Sequence, residues 1–200
     1  MATTDIAAIA MGGSAGAFEA LARILPALPA EFPLPIALVL HIPADKPSRV
    51  PAVLAAKCAL RVKEAEDKEP LAPATLYVAA PGYHLLVERT RCLAFSVDEP
   101  VRFSRPSIDV LFESAADAYG PALVGVLLSG ASEDGARGLA CIKRAGGTAV
   151  VQSPESASST AMPLAGLRSS AVDFTLPPER LGPWLAQLGS GAARRRDDAR

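Results

Sequence analysis

The sequence predicts an α/β domain: a mostly parallel sheet with helices on both faces and a small antiparallel β portion. Three observations predict it. The apolar runs at residues 6–11, 36–40 and 122–128 are continuous rather than alternating, which marks strands buried on both faces. Each run is followed by a stretch with helical spacing of apolar residues. Between residues 60 and 96 the pattern changes to short β segments joined by charged or Gly/Pro turns, as in an antiparallel or edge portion.

The elements follow in order. Residues 6–11 end in Gly12-Gly13, Ser14 follows, and AFEALARIL then begins a helix at or just after Ser14. Prolines 26, 29, 33 and 35 break the pattern before IALVLHIP, a strand that ends in His41. RVPAVLAAK reads as a short helix with Ser48 as its cap. RVKEAE, TLYVAAP, HLLVERT and CLAFSV are the short β segments. SIDVLFESAADAY is a helix bounded by Pro106-Ser107 and Gly120. ALVGVLLSG is a buried strand, DGARGLACIKRAGG a helix closed by glycines, and TAVVQS another strand. A serine-rich loop at 153–160 leads to the helix MPLAGLRSSA, and a last helix starts near Pro178 and includes Trp184. The predicted domain covers residues 1–188, and residues 189–200 are expected to be a polar, disordered tail.

Composition narrows the function classes. The 200 residues suffice for one domain with a sizeable core, half of them hydrophobic and only 5% aromatic, so the core is expected to be aliphatic. The 20 basic and 21 acidic residues leave a net charge of -1, without the basic excess of a nucleic-acid binder. Cys58, Cys92 and Cys141 are widely spaced and odd in number, fitting neither a zinc pattern nor a disulfide framework. No signal peptide or membrane-length apolar run is evident, so a cytoplasmic protein without membrane insertion is expected.

Three polar residues occupy equivalent places. Ser14 follows the first strand, His41 ends the second, and Asp134 follows ALVGVLLSG. Sites in open α/β sheets form outside the carboxyl ends of the strands. A serine, a histidine and an aspartate on that edge are the parts of an acyl-transfer triad. Each also has a plainer reading. Ser14 could cap a helix, or GGSAG could cradle a phosphate, although it lacks a P-loop lysine and the dinucleotide glycine spacing. Asp134 could serve the dipole of the helix that follows it, and His41 could be structural. The G-x-S-x-G spacing of a nucleophile elbow is present, but the order Ser-His-Asp is not that of the α/β-hydrolases.

Four segments carry a resemblance: GGSAGAFEAL, LVLHIPADKPSRVPAVLA, SRPSIDVLFESAA, and LLSGASEDGARGLACIKRAGGTAVVQ running on to SASSTAMPLAGL. In this order and spacing the chain resembles the catalytic domain of the CheB family of chemotaxis protein-glutamate methylesterases, from Asp5 to about Leu188. The resemblance implies hydrolysis of γ-glutamyl methyl esters on the cytoplasmic helical region of methyl-accepting chemoreceptors, with release of methanol and with glutamine deamidation as a second activity. It implies Ser14, His41 and Asp134 as the catalytic triad, backbone support of an oxyanion at Ala15 and Ala131, and no metal or cofactor. A chemosensory kinase and a separate receiver protein are further partners it allows. The first strand starts a few residues after Met1, so no receiver domain and no phosphorylation control are expected.

Departures from the family pattern raise a second reading. The family's S-T-G-G appears as S-A-G-A, with changes at Ala15 and Ala17, and its T-G-M-G-x-D-G appears as S-G-A-S-E-D-G, with changes at Ala131 and Ser132. If the loop needs φ > 0 where serine replaces glycine, the oxyanion donors would shift, at a cost of about 3–4 kcal/mol. The alternative is a CheB-like binding module with little or no activity. His84 and Arg105 are secondary candidates, beside structural and solvated-surface readings respectively. Lys143 and Arg144 are explained by a helix C-terminus, and Arg194, Arg195 and Arg196 by a solvated tail offset by Asp197 and Asp198.

Overall fold

Ala8, Ala10 and Gly12 alternate with Ile9, Met11 and Gly13 along the first strand, so its two faces meet different layers. The computed structural model describes residues 5–41 and 49–198, with side chains described as far as residue 189. Seven strands form one sheet. They are β1 (Ala8–Gly13), β2 (Ile36–Leu40), β3 (Arg61–Glu64), β4 (Thr75–Val78), β7 (Leu123–Leu127), β8 (Thr148–Gln152) and β9 (Phe174–Leu176). Their order is β3-β4-β2-β1-β7-β8-β9, and every pairing is parallel. A separate antiparallel pair joins β5 (His84–Val87) to β6 (Leu93–Ser96).

Helices cover both faces. Ile9, Met11, Leu38, Val126 and Val150 pack under α1 (Ala17–Ile24) and α6 (Pro178–Asp198), with Leu54 of α2 (Val50–Ala55) in the same cluster. In α1 the buried residues are Ala17, Ala20, Leu21 and Ile24, the spacing of a single helical face. Burying Leu21 or Ile24 contributes roughly 1.5–3 kcal/mol each. On the other face Ala8, Ala10, Val39, Leu127 and Val151 pack against α3 (Ile108–Tyr119), α4 (Ala136–Arg144) and Met162 of α5 (Ala161–Ser169). The small residues of β1 let α3 come close. The Ile108 side chain fills the space that a Cβ on Gly12 would need, which seats the first turn of α3 over the end of β1.

Several expectations are corrected. RVKEAE holds β3, an edge strand as one expectation had it, but β3 and the β4 of TLYVAAP are parallel members of the main sheet; among the described strands only β5 and β6 pair antiparallel. Insertion between β2 and β3 buries all four residues of β4, whereas edge strand β3 stays partly exposed. Helix α1 starts at Ala17 behind Gly16, not at Ser14. The expected cap Ser48 lies outside the described residues, and β9 is an additional strand. Helix α6 extends from Pro178 to Asp198. Among the described residues no helix is long and apolar enough to cross a membrane.

Candidate active site

The strand order reverses direction at β1, with β2 on one side and β7 on the other, and the candidate residues gather at the carboxyl ends of these three strands. Ser14 follows β1 directly. Its N–H donates to the Ser129 carbonyl (2.9 Å), and its own carbonyl accepts from Ala17 N–H (3.0 Å). The turn passes through Gly16 at φ 80°, where a Cβ would come within 2.6 Å of Ser158 Cβ and 2.7 Å of Ser129 Oγ. The helix cap is Gly16, with no side-chain bond, so the Ser14 hydroxyl does not cap α1. That hydroxyl has no hydrogen-bond partner among the described residues.

His41 follows β2 and extends the ladder, its N–H donating to the Gly13 carbonyl (3.1 Å). Gly13 pairs with Leu40, so Ser14 and His41 are adjacent strand-end residues. His41 Nε2 lies 2.7 Å from Asp134 Oδ2. A carboxylate only accepts, so Nε2 carries the proton and Nδ1 keeps its lone pair in the neutral ring. On the Nδ1 side lies the Ser104 hydroxyl, at 3.5 Å.

Asp134 is fully buried. Its Oδ2 also accepts from Ile108 N–H (2.7 Å), and its Oδ1 accepts from Asp109 N–H (3.1 Å) and Ser107 Oγ–H (2.8 Å). Burial pushes this carboxyl up, but the bonds from His41, Ile108, Asp109 and Ser107 outweigh it and hold the pKa below the ordinary value. The expected link to the helix after Asp134 is therefore corrected: its carboxylate serves the N-terminus of α3. The start of α4 is served by Asp109, whose Oδ1 accepts from Gly135 N–H (3.0 Å) and Gly138 N–H (2.7 Å). Asp109 Oδ2 is buried without a hydrogen bond, with Arg102 Nε and Arg137 Nε each 3.8 Å away.

The altered loops fold without the suspected strain. Ser132 is not among the non-glycine residues at positive φ, and its hydroxyl accepts from Asp134 N–H (3.3 Å). Ala131 and Ala15 are exposed, and their N–H groups have no partner among the described residues. Ser129 is buried and ties the two loops together, donating to the Ala15 carbonyl (2.7 Å) and accepting from Ser159 N–H (2.9 Å). Gln152 Oε1 accepts from Ser129 N–H (2.9 Å).

His84 and Arg105 brace the surroundings. His84 is buried, its Nδ1 accepting from Ser107 N–H (3.2 Å) and its Nε2 donating to the Glu99 carbonyl (3.2 Å). Arg105 donates to the carbonyls of Val97 (2.8 Å) and Asp98 (3.0 Å). Lys143 pairs with Asp173 (2.7 Å) besides ending its helix, and Arg144 donates to Cys141. Ser104, Asp109, Ser129 and Gln152 are missed by sequence reasoning, and Ser107 is read only as a helix boundary. Their partners are 23 to 114 residues away, and no local motif announces them. Among the described residues no group of three or more His, Cys, Asp or Glu side chains could share a metal ion.

The chain is similar to several known proteins. A "Putative protein-glutamate methylesterase/protein-glutamine glutaminase" of Leptospira interrogans (strain Fiocruz L1-130) is 45% identical over 181 residues, covering 90% of this chain and 94% of that protein. Protein-glutamate methylesterase FrzG of Myxococcus xanthus is 37% identical over 179 residues, covering 90% of this chain and 54% of that protein. The crystal structure of the Thermotoga maritima CheB methylesterase catalytic domain superposes with a TM-score of 0.88 at 28% identity, covering 92% of this chain and 100% of that one. The model of the CheB methylesterase family matches residues 9–185, and this chain belongs to that family.

Proposed function

We propose that this protein hydrolyses glutamate γ-methyl esters on the cytoplasmic helical region of methyl-accepting chemoreceptors, releasing methanol. Glutamine deamidation is a second reaction of the same site. The carrying observation is the pairing of His41 with the buried Asp134, with His41 and Ser14 on adjacent strand ends. Family membership supports hydrolase activity in general, and the relatives' names supply the ester and amide substrates. The catalytic unit in this reading is the domain up to residue 188, working in the cytoplasm.

The steps assign one role to each group. Ser14 Oγ attacks the ester carbonyl carbon while its proton passes to His41 Nδ1, the nitrogen not held by Asp134. The Ser14 hydroxyl comes within reach of Nδ1 in the substrate complex; such bonds are often loose without substrate. Asp134 stabilises the imidazolium and keeps the ring in the required tautomer. The free N–H groups of Ala15 and Ala131 are assigned to the oxyanion. Collapse expels methanol, which takes the proton from Nδ1. Water, deprotonated by Nδ1, then attacks the acyl-serine and releases the glutamate carboxylate and Ser14. With a glutamine substrate the same path expels ammonia.

The second reading is a binding module with little or no turnover. The Ser14 hydroxyl, without a hydrogen-bond partner among the described residues, favours it. Methanol release from methylated receptor membranes decides between them. Release by the wild type that Ser14→Ala abolishes supports the esterase; equal release by both proteins, or none by the wild type, removes it.

A further inference from the structure

The turn at residues 101–104 displays two side chains at an energetic disadvantage. Val101 and Ser104 exchange both backbone hydrogen bonds (3.1 and 2.9 Å) around Arg102 and Phe103. Both central residues have positive φ, 49° and 62°. That is the pattern of a type I′ turn, for which Asn-Gly and Gly-Gly are the usual occupants. Arginine and phenylalanine enter this region reluctantly, because Cβ crowds the following carbonyl. Phe103 recovers nothing by packing, since its side chain is fully exposed. An unfavourable backbone that holds a large apolar ring in water points to a partner.

The location supports this. Ser104, next in the chain, faces His41. Arg102 lines a cavity of about 370 Å³ with Arg137 of α4 and Arg168 of α5, over Ala136, Ala140 and Ala165. Glu133, the neighbour of Asp134, is the one acidic lining residue among the described residues. It is exposed and shared by Arg102 (3.4 Å) and Arg168 (3.6 Å). Arg137 pairs with Glu113 (2.6 Å), and Arg102 also lies 3.8 Å from Asp109, whereas Arg102 and Arg168 share the exposed Glu133, a carboxylate that an incoming one can replace.

We propose that the Arg102–Phe103 tip and this arginine-lined cavity dock the substrate protein through an acidic, amphipathic helix. An apolar residue of that helix covers Phe103, and carboxylates one turn away pair with Arg102 and Arg168. The helix periodicity offers both kinds of group on neighbouring positions. The docked helix is thereby held beside Ser14 and His41. This inference rests on the methylesterase reading for the identity of the helix.

The test compares wild type, Phe103→Asn and Arg168→Glu on a purified, methylated cytoplasmic receptor fragment. Asparagine tolerates positive φ, so Phe103→Asn removes the ring without endangering the fold, and its melting temperature should equal or exceed the wild type's. Methanol-release KM should rise about tenfold in each variant, with kcat retained within about threefold. Binding of the fragment to the Ser14→Ala protein should weaken by the same factor on adding either change. The salt dependence of binding should fall in Arg168→Glu. KM and binding within twofold of the parent proteins for both changes would overturn the docking site, even with normal hydrolysis. A wild type that binds the fragment, loses that binding in both variants, yet releases no methanol would uphold the docking site and overturn the esterase reading.

Discussion

Asp109 and Asp134 exchange helices. Asp134, just before α4, accepts the N–H groups of Ile108 and Asp109 at the start of α3; Asp109, in that first turn, accepts those of Gly135 and Gly138 at the start of α4. Each carboxylate occupies the positive end of the other's helix, where a negative charge is favourable. The exchange fixes α3 against α4 and holds Asp134 Oδ2 at 2.7 Å from His41 Nε2.

The two aspartates should respond differently to loss of charge. Asparagine at 134 puts an amide donor among four donors, from Ser107, Ile108, Asp109 and His41. Asp134→Asn should cost about 1–3 kcal/mol of stability as well as most of the activity. Asparagine at 109 can keep the oxygen that serves Gly135 and Gly138, and it gives up only the attraction of Oδ2 to the half-exposed Arg102 and Arg137, each 3.8 Å away without a hydrogen bond. Asp109→Asn should cost less than about 1 kcal/mol. Urea unfolding of both variants checks the contrast; equal losses would contradict the exchange as described.

The same pair gives opposite pH effects. The folded pKa of Asp134 lies below its unfolded value near 3.9, so its stabilising contribution is present above that value and is lost as pH falls through the folded pKa. Burial raises Asp109, more than the Gly138 N–H lowers it, so its ionisation lowers stability as pH climbs from the unfolded value through the folded one. Stability of Asp109→Asn relative to wild type should therefore improve as pH rises above about 4. Urea midpoints measured between pH 3.5 and 7 test this, and a constant difference would refute it.

Ser132 is where the sequence raised doubt and the backbone removes it. Its φ is not positive, and its hydroxyl accepts from Asp134 N–H at 3.3 Å. Ser132→Gly should lose about 0.5–1 kcal/mol by freeing the unfolded chain and should not raise activity. A variant markedly more active than wild type would show that the serine does disturb the loop.

Continuous apolar runs revealed the parallel strands because burial on both faces leaves no polar alternation, and Ser14, His41 and Asp134 were visible as polar residues at the ends of such runs. Pairing was less legible. Strand β4 was assigned to an antiparallel or edge portion because nothing in TLYV itself says that β2 and β3 flank it. Ser107 looked like an ordinary cap, yet its hydroxyl serves a carboxylate 27 positions later. Ser104 and Ser129 gave no signal, because their importance comes from His41 and Ala15 arriving from distant parts of the chain.

Among the described residues the Ser14 hydroxyl has no hydrogen-bond partner, so Ser14→Ala should change stability by no more than about 0.5 kcal/mol. Thermal melting of the same preparations used for methanol release separates this from misfolding. A large loss of stability would give the hydroxyl a structural role.

The central claim is that Ser14 is the nucleophile and His41 its base, and Ser104 provides a demanding control because it also faces His41. The most direct measurement is reaction with a serine-directed fluorophosphonate, followed by mass-spectrometric location of the label. One label per chain on Ser14, abolished by Ser14→Ala and strongly slowed by His41→Gln, is the predicted result. Labelling of Ser104, or of Ser14 at an undiminished rate in His41→Gln, would contradict the account.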